Sequence, residues 1–113
     1  MTGNEIQVEC VTLDDLAGLL DIGFRRIDLL KVDAQGAEAD ILAGAQSMLG
    51  LVDNITLKIN LFDFYSKRSS FGEIEGLLSG FSLYAITKVS QDPKNFRTDW
   101  AEVFYTRTAP PAP

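Results

Sequence analysis

The stretch IDLLKVDAQGAEADILAGAQSML, residues 27–49, decides the fold. Its first six residues, Ile27 to Val32, are apolar except at Asp28 and Lys31, which predicts a strand with two apolar faces in a parallel sheet covered on both sides. From Ala37 the period changes. Ile41, Leu42, Ala45, Met48 and Leu49 fall on one helical stripe, so a helix is expected over Ala37 to Leu49, stopped by Gly50. Asp33, Gly36 and Glu38 lie between the two patterns.

On either side the strand and helix patterns continue to alternate. Ile6 to Thr12 sets Ile6, Val8 and Cys10 against Gln7 and Glu9, a strand with one buried face and an inward thiol. Thr12 or Asp14 can cap a helix over Leu13 to Leu20 that ends near Gly23. Asn54 to Phe62 reads as the next strand, with Lys58 and Asn60 interleaved among apolar residues. Phe71 to Leu78 reads as a helix whose start carries Ser70 and Glu73 at capping-box spacing. Phe81 to Val89 and Ala101 to Thr106 are strands joined by the turn-rich QDPKNFRTD, and Trp100 is expected to bury its ring against a helix. The order predicts one α/β domain over residues 1–108, with helices on both faces of the sheet and an antiparallel final strand. Residues 109–113, APPAP, form an extended, flexible tail on this reading.

Composition narrows the chemistry. A net charge of −6, from ten Lys plus Arg against sixteen Asp plus Glu, argues against a broad basic surface for nucleic acid. No apolar run approaches the roughly 20 residues that span a bilayer. MTGNEIQVEC lacks a basic segment followed by an apolar core, so no secretory signal is expected and a cytoplasmic location is the default. The single Cys10 has no internal disulfide partner. The absence of histidine removes the commonest zinc ligand and the base that Ser-His-Asp chemistry needs, so no metal site is expected.

An open parallel sheet binds its ligands beyond the carboxyl ends of its strands. Asp33 sits at that edge, Gly36 lets the backbone turn closely into the following helix, and Glu38 falls in the helix's first turn. One account makes Asp33 and Glu38 simple helix caps, each worth about 0.5–1 kcal/mol. The other adds Lys31, two residues before Asp33 on the same strand face, and sees a polar constellation at a strand end.

VTLDDL, then IDLLKVDAQGAEADILAGAQSML, NITLKINLF, GF and DWAEVFYTR together resemble the carboxyl-terminal half of the FkbM family of S-adenosylmethionine-dependent methyltransferases. The centre is KVDAQGAEADILAGA, in which Lys31, Asp33, Gly36, Ala37, Glu38, Leu42, Gly44 and Ala45 keep the family's register. The resemblance implies part of a Rossmann-like methyltransferase sheet. Residues 6–12, 27–32, 54–62, 81–89 and 101–106 would stand for its third to seventh strands. It also implies that Asp33 borders donor and acceptor, that Lys31 and Glu38 line the acceptor side, and that Asp14 stands near the donor's adenosine. On this resemblance Asp33, Glu38 and Lys31 are the catalytic candidates, and Asp14, Asp33 and Gly36 the cofactor-binding ones. O-methyl transfer is the implied reaction.

The chain departs from the family at two places. No glycine-rich strand-to-helix turn precedes residue 8, so the expected protein lacks the half that grips the donor and is inactive alone. Where the family often has a glutamate on its fifth strand, this chain has Lys58, which reverses the charge near the cleft. Without its usual neighbour the 27–32 strand leaves a flat apolar edge, which predicts a homo-oligomer paired through that edge or a partner chain supplying the absent half. The competing expectation is a non-catalytic module that oligomerises, or that takes a small anion at the helix start near Gly36.

Overall fold

The computed structural model of the protein describes residues 7–19, 26–34, 37–61 and 71–108. Their elements run α1 (Leu13–Leu19), β1 (Ile27–Val32), α2 (Glu38–Ala43), α3 (Gln46–Leu49), β2 (Val52–Asn60), α4 (Phe71–Leu77), β3 (Phe81–Gln91) and β4 (Thr98–Arg107). The four strands form one sheet in the order β1-β2-β4-β3. β1 and β2 are parallel, with Leu30 opposite Ile55 and Val32 opposite Leu57. β4 inserts antiparallel between β2 and β3, setting Leu57 opposite Val103 and Ile86 opposite Val103 on its other side.

One face of this sheet carries the core. Ile55, Leu57 and Ile59 of β2 and Ala101, Val103 and Tyr105 of β4 are buried against Leu42, Ala45, Leu49, Ile74 and Leu78 from the helical layer. Every second residue of the two central strands points into that layer. α2 packs on α4 and α1 on α3, so the helical layer is continuous. Burying a side chain of this size contributes about 1.5–3 kcal/mol, which makes this seam the main source of stability.

Two expectations about the architecture are corrected. Residues 7–12 form no strand; they are exposed, Cys10 included, so among the described residues four strands stand where five were expected. Among the described residues β1 has a sheet neighbour on one side only, which makes it an edge. Second, among the described residues the helices cover one face only, not both. Leu29 on the opposite face is 52% exposed, and Trp100 lies half-buried on that open face under two lysines instead of against a helix. The thinnest dimension of the molecule, 19 Å, fits a single helical layer on a sheet.

The long helix expected over 37–49 is broken at Gly44, and α1 supplies the reason. A Cβ at Gly44 would come within 2.9 Å of both Cβ and Cγ2 of Thr12. That close approach lets the Asp14 amide donate to the Gly44 carbonyl at 3.0 Å. The Asp14 carboxylate then accepts from the backbone N–H of Ser47 at 2.9 Å and of Met48 at 2.8 Å, capping α3 from another helix. Thr12 caps α1 itself, its hydroxyl accepting from the Asp15 amide at 3.0 Å. The far end of α3 is closed by Arg107, which donates to the Val52 carbonyl at 2.9 Å and to the Leu49 carbonyl, and lies 4.7 Å over the Phe81 ring.

The two sheet edges differ. β3 changes register against β4 at Leu83/Ala85, Ile86/Lys88 and Ser90/Gln91, irregularities of the kind that blunt an edge. β1 pairs with β2 without such a break. The β3–β4 turn holds Phe96 at φ 60, in the left-handed region, with its amide donating to the Asp92 carbonyl at 2.8 Å. Ser70, with the capping box assigned to it, and the tail 109–113 lie outside the described residues.

Candidate functional site

The carboxyl end of the parallel pair forms a small polar notch on the open face. Lys31, Val32 and Asp33 from β1 and the residue after it, Thr56, Leu57 and Lys58 from β2, and Glu102 from β4 line a volume of about 60 Å³. The pairing register explains the grouping: Lys31 is opposite Thr56, and Lys58 is opposite Glu102. Side chains on one face of neighbouring strands converge, so two ammonium groups and two carboxylates meet at one rim. Lys31 and Asp33 are exposed and Lys58 and Glu102 half-buried. The notch is therefore open to a ligand from solvent.

Of the residues singled out in the sequence, the fold brings together Lys31 and Asp33 but not Glu38. Glu38 opens α2 and is only 1% exposed. Its Oε2 accepts from the Ala34 amide at 3.1 Å, which ties the chain leaving β1 to the helix that follows. That bond satisfies a backbone donor at the strand-to-helix handover, a structural task that a buried carboxylate performs well. The face reaching Glu38 is the helical one, whereas Lys31 points to the open one. Each Asp14 carboxylate oxygen accepts a hydrogen bond from a backbone N–H at the start of α3. Gly36 lies outside the described residues. α2 itself is six residues long with no side-chain cap at Ala37, and its first turn already carries Glu38 and Asp40. Its start is thus supplied with negative charge by the chain's own residues.

Sequence reading missed Thr56 and Glu102. Thr56 is one of several polar residues on a strand, and Glu102 lies 69 positions along the chain from Asp33. Thr56 stands two residues before Lys58 on the same strand face, and only the β2–β4 register places Glu102 beside Lys58. Among the described residues no group of three or more His, Cys, Asp or Glu side chains is placed to hold a metal ion, and no helix is long and apolar enough to cross a membrane.

The structure is thus an α/β sheet with polar side chains gathered beyond the carboxyl ends of its parallel strands, the edge where open α/β sheets in general bind ligands. The family model described as the methyltransferase FkbM domain matches residues 1–83, and the chain belongs to that methyltransferase family. Neither the curated proteins nor the solved structures contain a significant match to it.

Proposed function

We propose that this chain carries the acceptor side of an O-methyl transfer site, for which S-adenosylmethionine is the donor, and that the notch at Asp33 is where the acceptor hydroxyl is held. The observation that supports this most is the position of Asp33: a carboxylate in the family's central motif, free of the fold's own hydrogen bonds among the described residues, beside Lys31 at the strand end. In this arrangement Asp33 accepts a hydrogen bond, or the proton itself, from an acceptor hydroxyl. Lys31 and Lys58 orient a negatively charged or oxygen-rich acceptor, and Thr56 adds a neutral donor and acceptor. Glu102 stands opposite Lys58 in the β2–β4 register and adds a second carboxylate to the rim. Glu38 acts through the backbone, by holding the Ala34 amide directly after Asp33.

The donor does not fit these residues. A notch of about 60 Å³ is far below the several hundred Å³ that a nucleoside-sized ligand fills. No step through the donor is therefore assigned to the described residues. The donor-gripping part belongs on this reading to polypeptide outside them, in the same protein or in a partner chain. The order β1-β2-β4-β3 agrees with the fourth, fifth, seventh and sixth strands of a Rossmann-like methyltransferase sheet, which would put that part beside β1. The unbroken β1 edge also favours association, either with that part or between two copies of the chain.

Calorimetric titration with S-adenosylmethionine tests the division. The chain alone should give no saturable heat. Micromolar binding abolished in Asp33→Ala would mean that the donor pocket is complete within these residues. Mixed with a polypeptide that supplies a glycine-rich methyltransferase first half, the chain should methylate a hydroxylated acceptor, and Asp33→Ala should slow this by about a hundredfold or more. An unchanged rate in Asp33→Ala removes Asp33 from the site.

A further inference from the structure

The open face of the sheet is a built surface of aromatic rings and ammonium groups. Trp100 projects from β4 with the Lys58 ammonium 4.5 Å and the Lys88 ammonium 5.8 Å from its ring centroid. Two same-face positions along β4, beyond Glu102, Phe104 meets Tyr84 edge to face, with ring centroids 6.2 Å apart. Tyr84 is 75% exposed. Lys58, Glu102 and Lys88 lie in one row across β2, β4 and β3. Among the described residues neither lysine has an ion-pair partner, so the row carries more positive than negative charge in a protein of net charge −6.

From this we infer that the open face is a docking surface for an acidic amphipathic helix, which lays its apolar stripe on Trp100, Phe104 and Tyr84 and sets carboxylates against Lys58 and Lys88. Three observations select that occupant. Parallel strands such as β1 and β2 occur almost only with both faces covered, and helices are what cover them; among the described residues one helical layer is present, and the thinnest extent is 19 Å. The rings supply an apolar footprint of the amphipathic kind that anchors interfaces. The unpaired ammonium groups select a negatively charged flank, and they oppose a second copy docking through the same face, because that would bring the two lysine rows together. The docking row shares Lys58 and Glu102 with the notch, so a docked helix borders the notch and narrows its access; the docking itself does not rest on the methyl-transfer reading.

Trp100 is the only tryptophan in the chain, so its own fluorescence reports on this face and on nothing else. The probes are a synthetic amphipathic helix of roughly 18 residues built from Leu, Ala and Glu, its counterpart with Lys for every Glu, and phosphatidylserine vesicles. The acidic peptide should shift Trp100 emission to the blue in a saturable way, and the basic peptide should not. Charge reversal in Lys58→Glu with Lys88→Glu should weaken the acidic peptide about tenfold or more and admit the basic one. Because Lys88 is exposed on an edge strand, Lys88→Glu alone gives the same direction with a smaller change if the double variant unfolds. Equal response to both peptides, no saturable shift, a shift only with vesicles, or a shift with protein concentration in the absence of any probe would each overturn the inference.

Discussion

The Asp14 carboxylate on α1 caps a different helix: it accepts from the Met48 amide at 2.8 Å and from the Ser47 amide at 2.9 Å, across 34 and 33 positions of sequence. Loss of an N-cap costs about 0.5–2 kcal/mol. Asp14→Ala should accordingly lower the denaturant midpoint by an amount in that range without changing the slope, and Asp14→Asn should recover part of it. A variant as stable as the parent would mean that the cap does not form in solution.

Asp33 and Glu38 separate in the same kind of experiment. Glu38→Ala removes a buried acceptor and strands the Ala34 amide, a loss of about 1–3 kcal/mol. Asp33→Ala, at an exposed position, should change stability by less than about 0.5 kcal/mol. If Asp33→Ala proves the more damaging to stability, the roles given to the two carboxylates are reversed.

Gly44 should tolerate no side chain while α1 stays docked. Its φ of −85 carries no backbone strain, so the whole effect of Gly44→Ala comes from the clash with Thr12. Overpacking of this sort costs about 1–3 kcal/mol. Hydrogen exchange should show the α1 amides losing protection before those of β2 and β4; uniform protection in the variant would contradict the contact.

The Tyr105 hydroxyl donates to Glu75 Oε1 at 3.0 Å from a fully buried position. Burial, reinforced by the Glu75 hydrogen bond and its negative charge, pushes the phenol well above its ordinary value. A group held protonated in the folded state contributes its full stability below the unfolded value of about 10, and loses it as pH rises beyond that. Unfolding free energy should fall above about pH 10 more steeply in the parent than in Tyr105→Phe, which has no proton there to lose. At neutral pH the variant should be weaker by about 0.5–1.5 kcal/mol for the lost hydrogen bond. Parallel pH profiles would refute the assignment.

The β1 edge should self-associate. Sedimentation velocity at micromolar concentration is expected to show a dimer or larger species, and a single monomeric boundary would dispose of edge pairing between copies.

How far the sequence foretold this protein depends on how local each feature is. Ile27–Val32 was readable to the residue, because apolar density and the Asp33 and Gly36 punctuation are local signals. The motif around Lys31, Asp33 and Glu38 was equally legible and led to the family. The same local reading ran one helix through Gly44, since a glycine within a regular stripe gives no sign that Thr12 will press against it. It made residues 6–12 a strand because alternation reports an amphipathic pattern whether or not a neighbouring strand exists to pair with it.

By itself the sequence determined the α/β class, the methyltransferase kinship, and the placement of Asp33 at a strand end, all of which follow from side-chain period and short motifs. Only the tertiary structure decided that Lys31 and Asp33 share a notch with Lys58 and Glu102 while Glu38 is buried on the helical side, that Asp14 caps a distant helix, and that among the described residues helices cover only one face of the sheet. The physical reason is that strand register and layer packing join residues by hydrogen bonds and contacts between segments far apart in the chain, and a one-dimensional pattern carries which face a residue prefers but not what waits on that face.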